Sequence, residues 1–405
     1  NIDDIDKQRW YIGTSLGMID ARGLTGPVLH QEKGLYENSI VVGDFILTKL
    51  LHFDDESWFV ATQNPTPGVT QNRAVSFLPA SHGLYDGVAG VAYFLAVLEQ
   101  ATSKREYRFA AESLLKGLLT DIGNNFATNN SGFTGRASIV YVLDKLFMIW
   151  GDILDINEVI HSLLSKIKLE IEEEKNLDIL SGIAGISLAL LPYVSRSGNR
   201  VGIDILRIIK MKLNSAHKTL LKLEEPTPGL DYLRGFSHGL SGIALSLYRL
   251  SEYFEEQNSL SLSKKLILHE AELVGTSQWT DSHKFGSGPL TAWCHGAPGI
   301  VLALSKMPRL LEDPIVREYF DRALDYSFEA GLYDSACLCH GSLGNIDILK
   351  TAQLDSSRSE RIREITITVI DKLSAEGFSS FGNDQSFSLS LMTGISGLGY
   401  GLLRL

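Results

Sequence analysis

The chain has 405 residues, of which 44% are hydrophobic and 21% charged, a balance typical of a folded soluble protein. Its 48 Asp and Glu against 37 Lys and Arg give a net charge of −11, which excludes nucleic acid as a general partner because phosphate binding needs a positive surface. No uncharged apolar stretch reaches the ~18–20 residues of an integral membrane segment, and the three clustered cysteines form no disulfide framework, which favours a cytoplasmic location.

The segment before residue 87 is irregular in pattern. Residues 1–10 are polar and acidic and carry no secretory signal. Residues 37–53 predict a first helix on the outside of the fold. Residues 62–83 are rich in Pro, Gly, Asn and Ser and predict a long loop.

From residue 87 onward, one pattern repeats seven times: Gly-x-x-Gly followed by an apolar run. The intervals between the first glycines are 45, 50, 57, 57, 45 and 53 residues. Several of the apolar runs are hydrophobic nearly all round, which indicates helices buried on both sides. The pairs are Gly87/Gly90, Gly132/Gly135, Gly182/Gly185, Gly239/Gly242, Gly296/Gly299, Gly341/Gly344 and Gly394/Gly397.

Charged stretches with apolar residues at three- and four-residue spacing lie between the glycine pairs, as in residues 104–122 and 356–377. Each repeat therefore predicts one amphipathic outer helix and one buried inner helix. The first and last units are as apolar as the middle ones, so we expect the repeats to close on themselves rather than end in polar caps. The predicted fold is all-α, an α/α-toroid over residues 31–405.

In a closed ring, the residues just before each glycine pair lie at the same end of the inner helices, which we call the rim. The residue before each first glycine is, in order, Asp86, Ser131, Ser181, His238, His295, His340 and Thr393. One position earlier lie Tyr85, Asn130, Leu180, Ser237, Cys294, Cys339 and Met392. Three histidines and two cysteines from consecutive repeats are thus predicted to converge.

Thiolate and imidazole groups together are typical of zinc sites. Cys294, Cys339 and His340 would form a Cys2His site with a fourth position open for a substrate thiol, which zinc would hold as thiolate. His295 is either a fourth ligand, which would close the site, or a nearby acid–base group. Cys337 is expected to face elsewhere and to serve packing.

His238 is a candidate general acid–base, since imidazole exchanges protons near neutral pH, although a structural hydrogen-bonded histidine is the alternative. Asp178 either orients an imidazole or caps its own helix. Trp293 either walls the site or packs in the core. Asp86 precedes its helix and is expected to cap it.

The segments GFSHGLSG, AWCHGAPGI, LCHGSLG and DILSGIAG resemble the signature segments of the lanthionine synthetase C-like (LanC-like) family, and the resemblance extends over about residues 37–405. The first and last repeats look most like the C-terminal cyclase domain of class II lanthipeptide synthetases. This resemblance implies a double α-toroid of seven inner and seven outer helices. It also implies that residues 1–30 connect to an upstream dehydratase domain.

By the same resemblance, Cys294, Cys339 and His340 bind zinc, while His238 and Asp178 match positions implicated in acid–base chemistry. The implied reaction is Michael-type addition of a Cys thiolate of a dehydrated precursor peptide to dehydroalanine or dehydrobutyrine, which forms (methyl)lanthionine rings. The chain departs from stand-alone cyclases at Leu290, where these can carry Arg, and at His295, where they have Tyr. The assignment of the acid–base between His238 and His295 therefore stays open.

Three alternatives belong to other classes. A prenyltransferase-like toroid would be expected to use an Asp among its zinc ligands. An α/α-barrel glycosidase needs two opposed carboxylates, whereas the rim carries mostly His and Cys. A non-cyclising relative would bind peptides or add glutathione to dehydroamino acids.

Overall fold

Fourteen principal helices alternate along the part of the chain that this computed structural model describes, namely residues 27–50, 59–65, 73–79, 81–123, 129–221, 235–274, 291–330, 336–352, 354–376 and 388–405. Seven are inner helices: α2 (Val88–Thr102), α4 (Arg136–Trp150), α6 (Ile183–Ser197), α8 (Leu240–Tyr253), α10 (Ala297–Ser305), α12 (Ser342–Thr351) and α14 (Ile395–Arg404). Seven are outer helices: α1 (Leu35–Lys49), α3 (Arg105–Gly123), α5 (Ile156–Glu170), α7 (Arg200–Ser215), α9 (Gln257–Val274), α11 (Pro314–Glu329) and α13 (Ser356–Glu376). Short helical turns at His217–Leu220 and Leu310–Glu312 complete the described helical elements.

The outer helices bury a single apolar stripe. In α5, the buried residues are Ile156, Ile160, Leu163, Leu164 and Ile167, which follow the helical period and leave the charged residues outside. The inner helices instead bury residues on almost every face, as in α8 and α14. This difference confirms the expected pairing of one polar and one buried helix in each repeat.

A common backbone turn leads into the inner helices. The first helical N–H donates to the carbonyl seven residues earlier in four of the described repeats: Val88 to Ser81, Arg136 to Asn129, Ile183 to Asn176 and Ile395 to Ser388. The turn leaves no space for a side chain at the glycine before the helix. A Cβ at Gly87 would lie 2.3 Å from the carbonyl oxygen of Ser81, so the turn requires glycine there.

The same turn corrects the predicted register of the second repeat. Its inner helix is capped by Gly135, with Gly132 lying within the turn, and a Cβ at Gly135 would meet Asn129 as one at Gly87 meets Ser81. The rim residue of this repeat is therefore Thr134, not Ser131. The sequence alignment chose the wrong glycine because Ser138 stands where the other repeats have their second glycine, so that Gly132 and Gly135 form the Gly-x-x-Gly pair of this repeat.

The described residues fall into two compact units. Unit 2 contains residues within 127–331 and 344–364. In it the inner helices pack in chain order, α4 on α6, α6 on α8 and α8 on α10, and each packs on its own outer helix.

Unit 1 contains residues within 1–126, 332–343 and 365–405. Here the last inner helix, α14, packs against both α1 and α2. The last repeat thus contacts the first, as closure of the repeats requires. Helix α1 confirms the predicted outer helix at 37–53 with slightly different bounds.

A two-stranded antiparallel sheet lies between α1 and α2 in sequence. Strand β1 (Phe59–Pro65) pairs with β2 (Arg73–Pro79) so that Phe59 lies opposite Pro79. The expectation of a long loop over 62–83 was therefore wrong for the strand residues, because polar composition alone does not register backbone pairing. Of the predicted connector over residues 1–30, residues 1–26 lie outside the described part of the chain.

None of the helices that the structure describes combines the length and apolar character that a membrane crossing demands.

Candidate metal centre and acid–base pair

Backbone hydrogen bonds join equivalent rim positions of successive repeats in unit 2. The N–H of Ser237 donates to the carbonyl of Cys294 at 3.3 Å, and the N–H of Leu180 donates to the carbonyl of Ser237 at 3.2 Å. Three consecutive repeats are thereby linked at one level. The side chains that follow these positions must project near one another.

Unit 1 repeats this arrangement. The N–H of Cys339 donates to the carbonyl of Met392 at 2.9 Å, and the N–H of Met392 donates to that of Tyr85, also at 2.9 Å. The sixth, seventh and first repeats are linked in the same direction. The alignment that placed Cys339, Met392 and Tyr85 at equivalent positions is confirmed.

The metal-ligating atoms of Cys294, Cys339 and His340 all lie within 4.8 Å of one another. Cys339 is buried, while Cys294 and His340 are partly buried. Ligands at about 2.0–2.3 Å from one tetrahedral ion are separated by about 3.5–3.8 Å, so small side-chain adjustments would let the three atoms share a zinc ion. Two soft sulfurs and one imidazole are the donor set that this ion prefers.

The surroundings of His340 favour positive charge. Burial by itself lowers the pKa of this imidazole, but hydrogen bonds to Cys337 and Cys339 and the negative charge of their thiolates outweigh burial and raise the pKa to about 10. Sulfurs that attract a proton in this way also attract a metal cation.

Cys337 is fully buried, as a packing residue would be, but it does not face away from the site. Its sulfur accepts a hydrogen bond from the backbone N–H of His340 at 3.4 Å. The prediction that it faces elsewhere was wrong, because the turn before α12 folds back and brings residue 337 beside residue 340. Cys337 thus holds the backbone of the ligand His340.

Tyr85 is a residue that the sequence did not single out as functional. Its phenolic hydroxyl donates to the sulfur of Cys339 at 2.9 Å. The contact joins the first repeat to the sixth within unit 1. Its only signal in the sequence was the alignment of Tyr85 with the two cysteines at the same rim position.

His238 and Asp178 form the second group of the site, within unit 2. The Nδ1 atom of His238 lies 2.6 Å from Oδ2 of Asp178, and the carboxylate is buried while the imidazole is partly exposed. The other oxygen, Oδ1, accepts the backbone N–H of Ser181 at 2.8 Å. Asp178 therefore contacts an imidazole and the turn before α6, but it does not cap the helix, whose cap residue is Gly182 without a side-chain hydrogen bond.

His295 stacks on His238, with ring centroids 5.6 Å apart and planes inclined by 24°. The two imidazoles that the sequence left as rival acid–base groups are thus neighbours. His295 does not belong to the group formed by Cys294, Cys339 and His340.

The remaining residues that the sequence analysis named are Trp293, Asp86 and Leu290. Trp293 is buried and packs between the rings of Phe133 and Phe236, at 5.1 and 5.6 Å between centroids, which favours the packing role. Asp86 was expected to cap α2, but the cap residue is Gly87 without a side-chain hydrogen bond. The carboxylate of Asp86 instead accepts from the hydroxyl of Ser81. Leu290 lies outside the described residues.

Comparisons with known proteins indicate the family and the fold of the chain. A family model of lanthionine synthetase C-like proteins matches residues 79–405. Among curated proteins, the chain is similar to the lacticin 481/lactococcin biosynthesis protein LcnDR2 of Lactococcus lactis subsp. lactis, with 26% identity over 417 residues. That match covers 92% of this chain and 41% of the relative, so the chain spans less than half of the relative's length.

Among solved structures, the chain is similar to nisin cyclase, with a TM-score of 0.60 and 21% sequence identity. The superposition covers 80% of this chain and 88% of that structure. At this level of identity the likeness shows the fold, and the all-α, α/α-toroid class predicted from the repeats is confirmed.

Proposed function

The chain belongs to the lanthionine synthetase C-like family, and from this membership we propose that it is a zinc-dependent lanthipeptide cyclase. It would add Cys thiolates of a dehydrated precursor peptide to dehydroalanine or dehydrobutyrine and so form (methyl)lanthionine rings. The observation that carries the proposal is the grouping of Cys294, Cys339 and His340 within 4.8 Å in a chain of this family.

We assign Cys294, Cys339 and His340 as zinc ligands. When bound, zinc stabilises the thiolate of a substrate thiol well below its ordinary pKa of about 8.5. Two ligand thiolates and one neutral imidazole cancel the charge of the dication, which keeps a bound substrate thiolate electron-rich. Tyr85 supports this group by donating a hydrogen bond to the Cys339 sulfur.

His238 would move the proton of the reaction. The carboxylate of Asp178 binds Nδ1 and so leaves Nε2 of His238 directed to substrate. In the addition, a sulfur–carbon bond forms at the β-carbon, the carbon–carbon double bond breaks, and its electron pair becomes an enolate. Nε2 accepts the proton of the substrate thiol and returns it to the α-carbon, so that the peptide changes connectivity without change in mass.

His295 is the second candidate for this proton transfer, because its ring stacks on that of His238. We favour His238 because a buried carboxylate holds its Nδ1 atom at 2.6 Å and so fixes the orientation of the ring.

The partner we propose is a dehydrated precursor peptide. The similarity to a lantibiotic biosynthesis protein more than twice as long supports a further proposal, that an upstream dehydratase domain supplies this peptide. A relative that adds glutathione to dehydroamino acids is the alternative, and the two differ in the mass of the product.

Incubation of the chain with a dehydrated, Cys-containing precursor peptide tests the proposal. The experiment should run near pH 6, where the uncatalysed addition is slow because few free thiols are ionised. We expect alkylatable thiols to disappear while the peptide mass stays constant, compared with a sample without protein. Retention of all free thiols would contradict cyclisation, and addition of one glutathione mass in its presence would support the alternative.

A further inference from the structure

A carboxylate lies buried beneath the segment that carries His238. Glu270 is on outer helix α9, and its side chain is only 1% exposed. It takes the place of an apolar residue in the stripe that Leu262, Leu266 and Val274 form at four-residue spacing. Burying a carboxylate is costly unless hydrogen bonds satisfy it, so its partners indicate its role.

Two of those partners are the two ends of one short segment, and a third is the side chain of Tyr319 on α11. The backbone N–H of Gly235 donates to Oε1 of Glu270 at 2.9 Å, and the hydroxyl of Ser241 donates to Oε2. Gly235 lies three residues before His238 and Ser241 three residues after it. A single carboxylate therefore holds both sides of the turn whose centre presents the imidazole.

Backbone hydrogen bonds of Ser237 to Cys294 and Leu180 hold the middle of this turn, and Glu270 adds contacts at its two ends. Gly235 has a φ of +115°, a conformation open to glycine but strained for other residues. Without Glu270, the Gly235 N–H and the Ser241 hydroxyl would be buried without these acceptors, which destabilises this conformation of the turn. A segment so destabilised would shift to satisfy its donors elsewhere, and the His238 ring would move with it.

We propose that Glu270 is a positioning residue for His238: through Gly235 and Ser241 it fixes the turn that holds the imidazole against Asp178. The inference rests on the proposed function, because positioning matters to the reaction only if His238 transfers the proton. Glu270 does not touch the substrate or the metal ligands.

The test uses the full chain carrying Glu270→Gln, which keeps the size of the side chain but replaces one acceptor oxygen with a donor. Its matched control is Ser263→Ala on the same face of α9, which removes a buried hydroxyl that donates to the Ala244 carbonyl at 2.7 Å, two helical turns from Glu270. For Glu270→Gln we expect kcat of ring formation to fall about tenfold, with KM changed less than twofold and zinc content unchanged. Ser263→Ala should keep the kcat of the unmodified chain.

A spectroscopic measurement reports positioning directly. The ¹⁵N chemical shifts of the His238 imidazole, assigned with a His238→Asn sample, should change in Glu270→Gln because the Nδ1 contact with Asp178 loosens. They should stay the same in Ser263→Ala. Unchanged shifts and unchanged kcat in Glu270→Gln would overturn the inference, as would equal losses of kcat in both variants.

Ser241→Ala is the milder variant in case Glu270→Gln does not fold. It removes one donor and leaves the carboxylate in place, and we expect a kcat loss of about threefold with the same change in His238 shifts. If His238→Asn keeps full kcat, the proposed acid–base role fails. If His238→Asn is slow while Glu270→Gln and Ser241→Ala are both normal, only the positioning role fails.

Discussion

Two stretches of the rim, one in each unit, differ in chemistry although their backbones are alike. In unit 2, Leu180, Ser237 and Cys294 are linked by backbone hydrogen bonds, and in unit 1 Cys339, Met392 and Tyr85 are linked in the same way. Beside the unit 2 stretch, the imidazole of His238 contacts the carboxylate of Asp178. Beside the unit 1 stretch, the imidazole of His340 is hydrogen-bonded to the sulfurs of Cys337 and Cys339.

The difference shows that equivalent positions of a repeat protein can carry side chains of different chemistry. The backbone turn before each inner helix is held by glycine and by main-chain hydrogen bonds, so the side chains beside it are free to vary. Oxygen partners around His238 suit proton transfer, and sulfur partners around His340 suit a soft metal cation. Substitutions on the two sides should therefore produce different losses.

The largest effect is expected from the sulfurs. Cys339→Ala should reduce ring formation about 10³-fold, because without the metal the substrate thiol keeps its ordinary pKa of about 8.5 and is mostly protonated near pH 6. Loss of thiols from a dehydrated peptide near pH 6 measures this rate. Cys337→Ala is the milder comparison, because it removes the sulfur that accepts the His340 N–H but none of the three ligand side chains, and we expect it to slow ring formation less than about tenfold. Equal rates in Cys339→Ala and the unmodified chain would contradict a role for the metal in ring formation.

On the acid–base side, His238→Asn should slow ring formation about 10²-fold, within the usual contribution of a positioned acid–base group. The control is His82→Asn, because His82 also pairs with a carboxylate, Asp121, at 3.0 Å but belongs to the turn before α2 and is not paired with Asp178. His82→Asn should cyclise normally in the thiol-loss assay. A loss of the same size in both variants would mean that His238 acts only through stability.

Tyr85→Phe sharpens the comparison on the metal side. Removal of the hydroxyl deletes one hydrogen bond to the Cys339 sulfur, and we expect zinc affinity to fall about tenfold, as outer partners of metal ligands usually contribute. Competition with a chromophoric chelator measures this affinity. Tyr93→Phe on α2 is a suitable control that should bind zinc normally. Unchanged affinity in Tyr85→Phe would show that the hydroxyl does not support the ligand.

The smallest effect concerns stability and pH on the acid–base side. Burial raises the pKa of Glu270 from 4.5 to about 7, although hydrogen bonds from Ser241 and Gly235 oppose the rise. The folded state therefore holds a proton that the unfolded state has lost between these values, and stability falls as pH rises through this window. From pH 6 to 8, this group should lower the free energy of unfolding by about 1 kcal/mol.

Denaturant unfolding of the unmodified chain and of Glu270→Gln at pH 6 and pH 8 measures this contribution. It is the difference between the two proteins in how much the free energy of unfolding changes from pH 6 to pH 8. The variant should lack the decrease because its amide does not titrate in this range. Parallel pH dependence in the two proteins would contradict the raised pKa.

Much of this molecule could be predicted from its sequence because the repeats impose one geometry many times. Helical periodicity separated inner from outer helices, and the glycine alignment brought Cys294, Cys339 and His340 into one group before any distance was known. The register of the second repeat was predicted wrongly because either Gly132 or Gly135 could be the glycine before the helix. The pairing of the strand Phe59–Pro65 was not predicted because a two-stranded pairing leaves little signal in a polar, Pro-rich segment.

Glu270 was missed for a different reason. Its contacts join an outer helix to a turn about thirty residues earlier in sequence, and no local pattern encodes them. A signal was nevertheless present, since Glu270 interrupts an apolar stripe between Leu266 and Val274. A charged residue at such a position is buried only when specific donors meet it.

Zinc content, measured by elemental analysis of metal-replete protein, tests most directly whether metal binding and proton transfer depend on different residues. The unmodified chain and His238→Asn should each contain about one equivalent, and Cys339→Ala should contain less than about 0.1 equivalent. Less than about half an equivalent in the unmodified chain, or loss of zinc from His238→Asn, would contradict the proposal that Cys294, Cys339 and His340 bind the metal while His238 transfers the proton.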